Sequence, residues 1–367
     1  MMTHRERLLA TLRFERTDRG VDYEFGAWEQ TITRWHQEGL PADCEGVWGA
    51  INQHFHTDDT EYGPGPWLHH GLLPGFEYKV VEEQGDHIVV QDGDGATAEM
   101  IRPELGASIP RYLRYAIETR ADWEQVRDER LNPDSPGRVP ENLDELCRLT
   151  WDATYPTGIG GISLYGWLRN WMGVEGISIA LYEDPAWVEE MMEHLTVLCL
   201  HNLRQIAGKV KVDLSHWWED MCFNKGPLVS PRHFRQLMVP RYRRITDFLR
   251  AECGCEFNML DCDGNIHELV EPWLEGGINV MFPVEVAHTD PFRLRREFGT
   301  RAPMRGCVDK RALAAGKEAI DAELARLKPL YDEGGLIPHT DHLVPPDVSW
   351  GNYQYYRQRK CELIGKA

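Results

Sequence analysis

The chain has 367 residues, 42% hydrophobic and 27% charged, and its 59 acidic against 40 basic side chains give a formal charge of −19. This is ordinary globular composition, long enough for a core that needs no disulfide or metal to hold it. A field of that sign repels polyanions and argues against nucleic acid or anionic membrane as general partners.

The nine cysteines are scattered, with no C-x-x-C pair, which fits a reduced cytoplasmic compartment. Met1–Arg16 is charged and lacks an apolar export core, and no apolar run reaches the ~18 residues of a membrane span. The first helix is expected over 3–14, where Leu8, Leu9 and Leu12 share a face and Thr3 forms a capping box with Glu6. Val21–Phe25 reads as a strand, and 52–75, rich in His, Gly, Pro and Asp, as loop. Phe76–Val81 and His87–Gln91 alternate around Gly85-Asp86 and predict a hairpin, followed by a third strand at Thr97–Ile101. This meander, 76–102, is placed as an insertion, because hairpins do not build parallel sheets.

A proline-rich link leads to a helix near Glu141, then to a glycine-rich strand, Gly158–Leu164, running into an exposed aromatic and basic edge at Tyr165–Arg169. Asp184-Pro185 opens a helix. From there strands and helices alternate. Strands are expected at 210–214, 257–260, 278–282, 302–306 and 335–339, with helices between them and a last helix from 349. Ser230-Pro231 caps one of those helices, which Pro240 must interrupt. Short links between alternating elements predict a parallel α/β fold, a (β/α)8 TIM barrel forming a single domain over 1–367 with an N-terminal helical segment. About seven strands are visible, and the eighth is expected between 44 and 56. The rival is an open doubly wound sheet, but no G-x-G-x-x-G or Walker A loop is present.

The strand ends carry the polar residues: Trp217-Trp218-Glu219-Asp220, Asp261-Cys262-Asp263, Glu285, Arg305 with Asp309, and Asp341-His342. A barrel gathers all strand C-termini on one rim, so these would line one pocket. Asp261 and Asp263, two apart, leave on one face, with Leu260 and Cys262 on the other. Such a pair needs a cation or a shared proton, although Asp263 can equally serve as a helix N-cap. Of Glu219 and Asp220 only one can face the pocket, and either can be a solvated loop carboxylate. His342 reads as a surface residue, a metal ligand or a proton donor. Arg305 and Asp309 either hold an anionic group or pair with each other. Trp28, Trp167 and Arg169 are further candidates for substrate contact. Elbow, zincin and basic-aromatic signatures are missing.

At these residues the chain resembles the uroporphyrinogen decarboxylase superfamily. The likeness spans nearly the whole chain and rests on Arg5–Ala10 with Phe14–Arg19, Trp217–Pro231 with Phe234 and Pro240-Arg241-Tyr242, Asp263-Gly264-Asn265, Asp309–Leu313 and Asp341–Asp347. It implies a (β/α)8 barrel with its pocket at the C-terminal rim. The superfamily holds true decarboxylases and zinc-dependent, corrinoid-linked methyltransferases. The decarboxylases' arginine-rich N-terminal segment has no counterpart here, where Phe25–Leu40 contains only Arg34.

The methyltransferases hold zinc through a His-x-Cys pair, a later Cys and an acid on an earlier strand. By similarity those slots fall on Asp261 and Asp263, on His342 and on Glu219. The resemblance therefore implies a divalent metal, zinc, on a hard oxygen-rich set, or else a carboxylate proton relay without metal. It also implies methyl transfer between a small, methoxylated or methylamine-like substrate and a corrinoid supplied by a partner protein. In that reading the metal polarises the leaving oxygen, Asp220 or Asp341 supplies a proton, Trp167 and Trp218 line the pocket, and Arg169 or Arg305 orients a carboxylate. The alternative is a lyase decarboxylating a small aromatic or porphyrin-like acid. A homodimer is a further expectation from the superfamily.

Overall fold

The computed structural model describes residues 1–58, 63, 65–102 and 110–366, so part of the loop expected over 52–75 lies outside the described residues. Helix α1 (His4–Leu12) opens with the expected capping box between Thr3 and Glu6. Helices α2 (Glu29–Glu38) and α3 (Ala50–Phe55) follow. The eighth strand expected within 44–56 is not there: a glycine-punctuated turn leads into α3 instead.

Strands β1 (Lys79–Gln84), β2 (His87–Gln91), β3 (Thr97–Ile101) and β4 (Arg111–Arg114) form a separate antiparallel sheet in that order. It is the expected meander with a fourth strand added. Helices α4 (Arg120–Arg130) and α5 (Leu143–Leu149) connect it to the barrel.

The fold is an α/β barrel of the (β/α)8 class. Its regular ladder has six parallel strands among the described residues. They are β5 (Gly158–Ile162), β6 (Leu214–Trp218), β9 (Phe257–Asp261), β10 (Val280–Val284), β11 (Met304–Val308) and β12 (Leu336–Thr340), paired in that sequence. A two-strand ribbon, β7 (Cys222–Phe223) with β8 (Gly226–Pro227), follows β6. Helices α6 (Tyr165–Glu183), α7 (Pro185–Arg204), α8 (Pro231–His233), α9 (Val239–Cys253), α10 (His267–Glu275), α11 (Pro291–Phe298), α12 (Lys310–Ala315), α13 (Lys317–Asp332) and α14 (Trp350–Ile364) fill the links.

Two boundaries differ from expectation, and the third, the interruption at Pro240, is as expected. The strand expected at 210–214 begins only at Leu214, because Val210 and Val212 pack into the outer core without joining the ladder. Tyr165–Arg169 is the first turn of α6, with Tyr165 and Leu168 fully buried. Before Pro240, which lies in the first turn of α9, a single π-turn at Phe234–Met238 makes the interruption.

Val21–Phe25 is extended but outside the ladder, joined to the strand side by a parallel bridge between Ala27 and Val344. It still alternates as a strand would. Val21 and Tyr23 pack into the barrel interior with Leu214, Phe257, Met259, Val280, Phe282 and Ile337, and α1 closes that end with Leu8 and Leu12. Asp22 and Glu24 point the other way, where Arg357 reaches them at 2.6 and 2.7 Å and Lys360 reaches Glu24 at 2.7 Å. All four side chains are essentially buried, so this ionic seam locks α14 against the first segment. The motif arginines near the start serve the same end of the barrel: Arg5 pairs with Asp213 at 3.0 Å and Arg7 with Asp18 at 2.9 Å.

Candidate active site

Strand alternation decides which polar residues reach the rim cavity. On β6, Trp217 faces the helices and Trp218 the cavity, so the next residues split the same way. Glu219 is fully buried on the helix side. Its carboxylate accepts from the Leu164 and Gly166 amides at 2.9 and 2.7 Å, from Ser163 Oγ at 3.2 Å and from the Tyr242 hydroxyl in a short contact. Burial pushes its carboxyl above the usual range, against the pull of these four donors. The expectation that Glu219 faces the pocket as a metal ligand is therefore corrected: it fastens β6 to the start of α6.

Asp220 takes the cavity side. Its backbone lies at φ +41°, and Arg169 Nη1 donates to its carbonyl at 3.0 Å and, in a short contact, to its carboxylate. The Arg169 guanidinium also lies 5.0 Å from the Trp218 ring centroid. A left-handed non-glycine residue at a strand end costs conformational energy, and the arginine clamp over-determines it.

Asp261 and Asp263 emerge together, while Leu260 and Cys262 pack into the outer core. Asp261 sits 3.7 Å from His216 Nε2. Burial raises its carboxyl, the His216 contact opposes that, and the nearby Asp263 and Asp220 raise it further. Asp263 sits 3.4 Å from His342 Nε2. Burial lowers that imidazole, but Asp263 outweighs it and the net shift is upward. His342 is stacked on Trp28 with centroids 5.8 Å apart and meets Phe25 edge-on at 5.6 Å. Asp263 is not the helix cap: α10 starts after Asn265, whose side chain accepts from the His267 amide at 3.3 Å. Gly264, at φ +83°, is required, because a Cβ there would meet the Phe223 backbone at 2.8 Å.

These side chains line a cavity of about 550 Å³, walled by Phe25, Trp28, Trp48 and Trp218 and carrying Glu29, Asp220, Asp261, Asp263 and His342. A second lobe of about 700 Å³ shares Asp220 and Asp263 and adds Arg169, Phe223, Glu285 and His288. Glu29, Trp48 and His288 lie outside the strand-end pattern and carry no periodic signal in the sequence. His216 and Phe25 share the inward parity of Trp218 and of Tyr23, which was the available clue.

The remaining expected residues sit elsewhere. Asp341 is only 1% exposed beneath the rim, and accepts from the Val286 and Lys310 amides at 3.1 Å each. Lys310 bridges it to Glu285, at 3.4 and 3.0 Å. Burial raises the Asp341 carboxyl to about 6 in spite of Lys310. Arg305, expected at the rim, lies buried inside the barrel, its guanidinium 4.1 Å from the Tyr23 ring centroid and 3.1 Å from the Met259 sulfur. Trp167 stacks on Trp171 behind Trp218 and lines neither lobe.

The four-ligand metal set does not assemble. Glu219 faces away, and among the described residues no three His, Cys, Asp or Glu side chains gather as a metal would need. Asp261 and Asp263 are instead each held beside an imidazole.

A barrel whose strand ends open on one acidic, aromatic-walled cavity belongs to the architectures that bind small molecules at the C-terminal rim. The chain is a member of the uroporphyrinogen decarboxylase (URO-D) family, whose model matches residues 163–358, more than half of its length. A solved methyltransferase from Methanosarcina mazei has the same fold, with a TM-score of 0.60 at 14% identity over 98% of this chain and 99% of that one. No curated protein matches the sequence.

Proposed function

We propose that the protein is an enzyme that takes a methyl group from a small molecule held in the rim cavity and delivers it to a corrinoid carried by a partner protein. The observation that supports this most is the cavity itself: lined by aromatic rings and carboxylates, and open where Trp28 and Trp48 are 44% and 57% exposed. Flat aromatic walls hold a small substrate by its faces and exclude water, while the open side lets a second reactant approach the methyl carbon. The corrinoid supplies a strongly nucleophilic metal centre when bound. For a methoxylated donor, Asp261 is the group placed to protonate the departing oxygen, since its surroundings favour the neutral acid at higher pH than usual. His216 beside it is the next group in line. Of the side chains expected to hold zinc, Asp261, Asp263 and His342 line the cavity, but Glu219 does not and no three of them gather as a metal would need.

The alternative of decarboxylation needs cations to receive the substrate's carboxylates. No Lys or Arg is among the described residues lining the first lobe, and Arg169 in the second is already engaged by Asp220. A polycarboxylate would meet like charge, which favours methyl transfer.

Anaerobic incubation with reduced cobalamin and a panel of O- and N-methylated small molecules tests the reading. The cobalt absorbance should change together with appearance of the demethylated product by mass spectrometry. Asp261→Asn should slow an O-methyl donor by about 10²-fold, the usual worth of a general acid. Release of carbon dioxide from aromatic acids without methyl transfer would establish the lyase instead.

A further inference from the structure

We infer that the methyl donor is a small cation, a methylated ammonium compound seated between the aromatic walls and the carboxylates of the first lobe. This rests on the methyl-transfer reading above and narrows its substrate class.

Two independent features of the lobe select for such a ligand. The first is the walls. Trp28, Trp48, Trp218 and Phe25 line one space of about 550 Å³, where Phe25 and Trp48 approach within 5.2 Å, centroid to centroid, while His342 stacks on Trp28 and Arg169 lies over Trp218. A methylated ammonium binds over aromatic faces within about 6 Å and favours tryptophan, because the ring quadrupole attracts its diffuse charge. A neutral ether has no such preference.

The second feature is charge. Four carboxylates line the lobe, from Glu29, Asp220, Asp261 and Asp263, and Lys and Arg are missing from its described lining. Arg169 neutralises Asp220, leaving Asp261 beside His216 and Asp263 beside His342, whose imidazole Asp263 shifts toward its charged form. With Glu29 added, the lobe stays net negative even when His342 is protonated. An organic cation fits this better than a divalent metal. A metal needs oxygens converging at roughly 2.0–2.2 Å, and among the described residues no three His, Cys, Asp or Glu side chains gather in that way.

The chemistry agrees with the missing donor set. In displacement at the methyl carbon, the carbon–nitrogen bond breaks and its electron pair stays on nitrogen. The reduced corrinoid provides the pair for the new carbon–cobalt bond. The quaternary donor leaves as a neutral amine, so neither a proton nor a Lewis acid is required. An ether donor would leave as an oxyanion and would need one or the other. Glu219 buried in a structural role is thus compatible with turnover of an ammonium donor.

Calorimetric titration without corrinoid separates this inference from the methyl-transfer reading. The probes are tetramethylammonium, choline, and 3,3-dimethylbutan-1-ol, the uncharged isostere of choline. At least one cation should bind the wild-type protein with a dissociation constant below about 10 mM and at least tenfold more tightly than the neutral alcohol. Asp263→Asn should reduce that ratio severalfold, and Trp28→Ala should weaken the cation while circular dichroism stays unchanged. Equal binding of cation and isostere by wild type, or no cation binding in this range, would overturn the inference whatever the variants do. So would micromolar zinc binding that is lost in Asp263→Asn. Methyl transfer from a methoxylated donor alongside absent cation binding would keep the function and remove this substrate class.

Discussion

Asp341 was expected at the rim as a proton donor, yet its carboxylate lies beneath it, fixed by two amides and Lys310. Its consequence is for stability. An unfolded aspartate ionises near 4, while the buried one resists ionisation up to about 6. Below pH 4 both states hold the proton and the residue contributes its full share. As pH climbs from 4 through 6 the unfolded chain ionises first, and that share is lost. The loss is on the order of 2–3 kcal/mol across this window. Urea denaturation of wild type and Asp341→Asn at pH 4 and pH 7.5 measures it, because titrations of groups not in contact with Asp341 cancel in the difference. The advantage of wild type over the variant should be smaller at pH 7.5, and a larger advantage there would contradict the assignment.

At the scale of elements, Glu219 shows what a strand's alternation controls. The first amides of a helix have no intrahelical acceptor, and α6 begins at Tyr165 without a side-chain cap of its own at Leu164. Glu219, arriving from β6, supplies that cap across the fold, its oxygens accepting from the amides at the helix N-terminus. Glu219→Ala would leave those amides and the Tyr242 hydroxyl buried without acceptors, at a cost of about 3 kcal/mol or more. Chemical denaturation should show this loss, and the zinc content of purified protein should not change with it. The split between Glu219 and Asp220 was half legible in the sequence: two adjacent acids cannot share a face, but the direction follows from Trp217 being the helix-facing neighbour. The strands and caps from Asp184 onward were legible because hydrophobic runs, N-caps and prolines repeat there. The first segment was harder. Val21–Phe25 alternates correctly, yet its outward residues are Asp22 and Glu24, which the distant Arg357, Lys360 and Lys366 explain. Glu29 and Trp48 reach the cavity from a helix and a turn, where no strand periodicity announces them.

For the whole molecule, the −19 charge and the acidic first lobe act in the same direction on a ligand. A surplus of negative charge concentrates cations near the rim before any contact forms, and the effect decays over a Debye length of about 10 Å at 0.1 M salt. Contacts with the aromatic walls are short-ranged and hardly screened. Raising ionic strength should therefore weaken a bound methylammonium severalfold between roughly 20 and 300 mM salt, a span over which the Debye length falls by more than half. The uncharged isostere should lose nothing over the same range. Titrations of both ligands at several sodium chloride concentrations check this. Parallel slopes for cation and isostere would mean that the acids around the cavity do not act on the ligand, and that aromatic contact alone accounts for binding.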